Sequence, residues 1–156
     1  MTLLNENILP YVGTDTFKLG DNLCNIRQSL KHNKIKFNQR IDPNKGCESE
    51  VPWIFIEIEN CITLCFAKDI LFEIVLENDY TGKLPNGVFI GMKMSELEEI
   101  DKSLKYNEDD EDFVSKHGYW IEDDLDTGKI CSITIFLPEV DSEDFFKYEW
   151  IDNYNK

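Results

Sequence analysis

Trp53-Ile54-Phe55-Ile56-Glu57-Ile58-Glu59, Ile62-Thr63-Leu64-Cys65-Phe66 and Ile70-Leu71-Phe72-Glu73-Ile74-Val75-Leu76 are three β-branched and aromatic runs, broken at Asn60 and at Lys68-Asp69. Runs of this composition suit a pleated surface, and breaks this short allow only tight turns, so the stretch predicts a three-stranded antiparallel meander. Glu57 and Glu73 within the runs predict one solvated face. The other face then needs a cover, which amphipathic helices supply.

Helical patterns flank the meander. Upstream, Leu23, Ile26 and Leu30 recur at i, i+3 and i+7, with Asp21 or Asn22 placed to cap the helix and His32-Asn33 near its end. Ile35, Phe37 and Ile41 predict a strand, and Asp42-Pro43-Asn44-Lys45-Gly46 a loop. Downstream, the turn-rich connector Asn78–Gly87 leads through Val88-Phe89-Ile90-Gly91 to a second helix. There Ser95 and Glu98 have capping-box spacing, and Leu97, Ile100 and Leu104 form the apolar stripe. Further strands follow at Tyr119-Trp120-Ile121 and Lys129–Leu137, separated by the turn Asp123–Gly128 and stopped by Pro138. The last segment is acidic but carries Phe145, Phe146, Tyr148, Trp150 and Tyr154. It reads either as a short docking helix or as a segment ordered by a partner.

The fold class is therefore α+β: an antiparallel sheet with helices packed on one face, in a single domain over residues 1–156. The two halves, 17–77 and 88–137, read alike, with 139–156 as an acidic aromatic tail. Each half has an aromatic–aliphatic–Gly lead-in (Phe17-Lys18-Leu19-Gly20; Phe89-Ile90-Gly91), an amphipathic helix, a loop and a Trp-headed strand (Trp53; Trp120). Tandem helix-plus-sheet units explain this pattern; so does the plain recurrence of helices and strands in any α+β domain. Trp53 and Trp120 read as core.

The formal net charge is −15. Residues 1–95 hold 12 acids and 10 bases, whereas residues 96–156 hold 19 acids and 6 bases. Such a balance opposes nucleic-acid binding, which depends on basic groups that release counterions, and opposes an anionic membrane surface. It suits either a solubilising surface or attraction of a basic protein. No run reaches the ~18 apolar residues of a membrane helix, and the start of the chain lacks a signal-peptide pattern, which places the protein in the cytoplasm. The five cysteines form no framework, and Cys24, Cys61, Cys65 and Cys131 lie in apolar-patterned segments where they read as small hydrophobes.

Catalytic signals are thin. His32 and His117 stand in polar contexts, and no nucleophile elbow, phosphate loop, dinucleotide fingerprint or zinc-protease motif is present. Asp124-Leu125-Asp126-Thr127-Gly128 lacks the ligand pattern of a calcium loop and reads as a hairpin turn. No cofactor and no metal are expected, and the chain reads as a binding module rather than an enzyme. A small carboxylate-using hydrolase and an acidic interaction domain of unrelated role are the alternatives.

Phe72–Met92, together with Gly118–Leu125 and Ile130–Phe136, resembles small bacterial immunity proteins of polymorphic-toxin and contact-dependent growth-inhibition systems. The layout is similar to the tandem units of β-lactamase-inhibitor-like proteins. The resemblance implies binding and neutralisation of a cognate toxin C-terminal domain, often a nuclease and therefore basic, by blocking its active site or substrate approach. These families share no active site, so no functional residue carries over. The candidates for contact with a basic partner are the acids Glu108, Asp109, Asp110, Glu111, Asp112, Glu122, Asp123, Asp124 and Asp126, with Tyr80, Tyr119 or the C-terminal aromatics as anchors.

Overall fold

The structure, a computed structural model, describes residues 3–42 and 51–155. Helix α1 (Leu23–His32) precedes strands β1 (Asn38–Asp42), β2 (Trp53–Ile58), β3 (Ile62–Ala67) and β4 (Ile70–Glu77). Helix α2 (Met94–Ile100) precedes β5 (Lys105–Asn107), β6 (Asp112–Ser115), β7 (Tyr119–Asp124) and β8 (Lys129–Phe136). Among the described residues these strands form one antiparallel sheet in the order β1-β2-β3-β4-β8-β7-β6-β5. A helix followed by a four-stranded meander thus occurs twice, and the meanders join through their last strands, β4 against β8.

The same three backbone bonds fasten each helix to the last strand of its own half. In the first half Gly20 N donates to Leu71 O, Leu71 N to Asp21 O and Leu23 N to Asp69 O. In the second, Gly91 N donates to Ile130 O, Ile130 N to Met92 O and Met94 N to Gly128 O. Gly20 and Gly91 both have positive φ, +92° and +100°. The structural equivalents of Leu23, Ile26 and Leu30 are therefore Met94, Leu97 and Asp101, not Leu97, Ile100 and Leu104. The apolar stripe read from the sequence, Leu97, Ile100 and Leu104, lies three residues further along the chain. Trp53 and Trp120 are not equivalent either, since they stand in the second and third strands of their meanders.

Asn22 caps α1 as expected, its side chain accepting from Asn25 N. At α2 the capping box does not form: Lys93 is the N-cap and makes no side-chain cap bond. The strand interaction of Met94 N with Gly128 O starts the helix one residue before Ser95 and already satisfies an N-terminal donor. Ile100 is exposed, and Leu104 lies beyond the helix end. Ile35 and Phe37 precede β1, whose Ile41 is exposed. Most of the predicted 42–46 loop, and Cys47, lie outside the described residues.

Both helices pack on one face of the sheet. Leu30, Ile56, Leu64, Ile74, Leu97, Ile121 and Ile133 belong to that core, with Ile8 and Phe17 from the N-terminal segment closing it. The opposite face of β2–β4 is solvated only in part: Glu57 and Glu73 are half-exposed as expected, but the rest is covered. Residues 138–153 fold into short 3-10 turns that lay Phe145, Tyr148, Trp150 and Ile151 over Trp53, Phe55, Ile70 and Phe72. Trp53 Nε1 donates to Tyr148 Oη at 2.8 Å, and Trp150 Nε1 to Phe145 O at 2.9 Å, so this second core satisfies its polar atoms internally. Cys61 and Cys65 are buried, but Cys24 and Cys131 are exposed. Among the described residues no helix is long and apolar enough to cross a membrane.

Candidate partner-binding groove

The tail covers the far face of β2, β3 and the start of β4 only. Beyond it, the far face from the end of β4 across β8, β7 and β6 is open, and strand register dictates what it displays. Val75, Thr134, Trp120 and Val114 face one another across four strands, and the next row holds Glu77, Ser132 and Glu122. Asp112 stands beside Glu122, one step past the Phe113–Ile121 pair. Like charges in neighbouring positions of a sheet face repel, so this row destabilises the free fold.

Antiparallel order also gathers the acids of distant segments. The turn after β5 (residues 108–111) and the turn after β7 (125–128) open at the same end of the sheet, where β4 also ends at Glu77. The result is a groove of about 680 Å³, walled on one side by Phe145, Phe146 and Val140 of the tail and floored by Trp120 and Val75. Among the described residues six carboxylates line it, Glu73, Glu77, Asp110, Asp112, Glu122 and Asp141, and no Lys, Arg or His does. A neighbouring notch of about 300 Å³ shares Asp110 and Glu122 and adds Tyr106, Glu111, Asp123 and Leu125. Tyr106 is 53% exposed and Leu125 90%.

Asp112 is the unusual member. It is only 8% exposed, and its Oδ1 has no hydrogen-bond partner. Burial, then the neighbouring Asp110 and Glu122 charges, push its pKa up to about 6. Burial and the charges of Glu122 and Glu57 also raise that of Glu77. Trp120 is half-buried rather than core: its ring leans on Phe136 at 4.4 Å between centroids, and Phe136 packs in turn on Tyr11 at 6.0 Å. The indole is thereby held in position before anything binds.

Of the residues singled out from sequence, Asp110, Asp112 and Glu122 line the groove; Glu111 and Asp123 line the notch. Glu108, Asp109, Asp124 and Asp126 are exposed at the two hairpin ends beside them. Tyr119 and Tyr80 are corrections. Each is 1% exposed, so neither reaches a partner. Tyr80 Oη donates to Glu6 O at 2.7 Å and ties the N-terminal segment down. Tyr119 Oη donates to Asp101, which also accepts from Ser103 Oγ at 2.6 Å, Ser103 N at 2.9 Å and Ser115 Oγ at 2.5 Å. Burial alone would raise the Asp101 pKa, but these donors outweigh it and hold the group at about 2. Ser115 bonds Asp101 directly, and His117 Nε2 lies 3.9 Å from Asp101 rather than between the two. This is the wiring of a structural knot, not of a nucleophile–base relay.

Sequence reasoning missed Glu73, Glu77, Asp141 and Trp120 as groove residues. The signal was the alternation of Ser132 and Thr134 with Ile133 and Ile135, and of Glu73, Val75 and Glu77 with Ile74 and Leu76, which marks a polar far face on two adjacent strands. Among the described residues no group of three or more His, Cys, Asp and Glu side chains is disposed to hold a metal ion. The arrangement can accept cationic groups against carboxylates and an aromatic floor. No protein-family model matches the chain, and no curated protein or solved structure matches it significantly.

Proposed function

We propose that this protein is an immunity protein that binds a basic toxin domain through the acidic groove and the notch beside it, and so blocks the toxin's active site or substrate approach. The observation that carries this reading is the concave, aromatic-floored sheet face lined, among the described residues, by six carboxylates and no base. Its charge attracts a basic partner over distance, as a protein must when a toxin has to be caught before it acts. Apolar groups set among the acids, Trp120 in the groove and Leu125 and Tyr106 at its rim, supply desolvated contacts that charge alone does not. The resemblance to toxin-immunity proteins points the same way.

The test is co-expression. The C-terminal domain encoded immediately upstream of this chain is induced in a test bacterium with and without it. Rescue together with a co-purifying complex is the expected result. Killing regardless of this chain, or a harmless upstream domain, overturns the reading.

A second reading has one observation in its favour: Asp112 and Glu77, both held above their ordinary range, share the groove with aromatic side chains, as carboxylates of a glycan-cleaving hydrolase do. Turnover of oligosaccharides by the wild type, abolished in Asp112→Asn, would establish it.

A further inference from the structure

We propose that the groove is a socket for one arginine side chain of the partner, with the guanidinium stacked on Trp120 and paired with the carboxylates of Asp112 and Glu122. This deepens the partner-binding reading and rests on it. Three observations converge. Asp112 lines the groove and is more than nine-tenths buried, yet its Oδ1 is unpartnered; a buried acceptor of that kind costs stability unless a donor reaches it. Glu122 stands on the adjacent strand beside it, so two carboxylates flank one position. Trp120 is the neighbouring floor residue, already fixed against Phe136.

The geometry favours arginine over lysine. A guanidinium is flat, stacks on an indole face, and presents several N–H groups in a fixed fork that can serve two carboxylates at once. An ammonium is a strongly hydrated point charge that loses more on entering such a site. Among the described residues no cation lines the groove to fill this role. The resident repulsion among Asp110, Asp112 and Glu122 turns into attraction once a cation is seated.

The assay needs no toxin. Hexa-arginine and hexa-lysine peptides are titrated into the ¹⁵N-labelled protein, and the Trp120 indole resonance, assigned by its absence in Trp120→Phe, is followed by NMR. Trp150 donates its indole N–H to Phe145 O inside the second core, away from the groove lining, and serves as internal reference. Hexa-arginine is expected to shift the Trp120 signal and to bind several-fold more tightly than hexa-lysine. Asp112→Asn should weaken it about fivefold or more, the equivalent of about 1 kcal/mol. Glu98→Gln removes one exposed carboxylate from α2 and should change affinity less than twofold. Equal weakening by the two variants, an unmoved Trp120 signal, or equal affinity for the two peptides would overturn the socket as mere attraction to a protein of charge −15. The two proposals fail separately. Selective peptide binding without toxin rescue removes the toxin and keeps the socket; rescue without peptide selectivity does the reverse.

Discussion

Asp101 and Asp112 are both buried, yet their surroundings are opposite. Asp101 accepts four hydrogen bonds and stays ionised to about pH 2, whereas Asp112 has an empty acceptor and two acidic neighbours that lift it to about 6. The signs follow by linkage. Asp101 is depressed when folded, so its contribution is present above its unfolded pKa and is lost as pH falls from about 4 to about 2. Asp101→Asn should therefore cost about 2 kcal/mol at pH 7, and the difference from wild type in urea unfolding should shrink toward pH 2. Asp112 is raised when folded, so it weakens the fold at neutral pH and the penalty disappears as pH falls from about 6 to about 4. Asp112→Asn should accordingly raise Tm by about 2–4 °C at pH 7, with no gain at pH 4. A loss of stability at pH 7 would show that Asp112 is structural, since a residue retained for binding is the kind whose removal relieves strain.

At the scale of elements, the acidic aromatic tail acts as a lid on the second core. Trp150→Ala should destabilise by about 3 kcal/mol in urea unfolding, because the indole stacks on Phe145 and its N–H is satisfied internally. A cost below about 1 kcal/mol would mean the tail only rests on the sheet. The central meander was legible because each run is long, β-rich and ended by a short polar break; Lys68 and Asp69 both take positive φ, as a two-residue hairpin turn requires. The tail was legible only as one of two alternatives, a docking segment, because 3-10 turns have no apolar period and its acids mask its aromatics. Helix α2 was legible as a helix but not in register. Its core position equivalent to Leu30 holds Asp101, a charge that only a tertiary hydrogen-bond network explains. The groove was half legible. Its acids stood out as runs, but sequence could not show that two hairpins bring them to one end of a sheet, nor that Glu73 and Glu77 join them.

For the whole molecule, charge and topology act together. The acid-rich second half is also the half whose far face the tail leaves open. Attraction by that face should be long-ranged and salt-sensitive. Converting Glu108, Asp109, Asp110 and Glu111 to lysine should slow association with a basic partner at least tenfold at low salt, and flatten its dependence on ionic strength, without lowering Tm. Unchanged stopped-flow rates would remove that hairpin from the encounter surface. Leu125→Ser should leave stability alone, given its exposure, and accelerate dissociation. The most direct test of the central claim is survival counting with the upstream toxin domain induced. The chain is supplied either as wild type or with Asp112 and Glu122 both replaced by arginine, at equal expression and with folding verified by circular dichroism. Rescue by the wild type and death with the reversed groove is the predicted result. Equal rescue by both would contradict the claim that this groove neutralises the toxin.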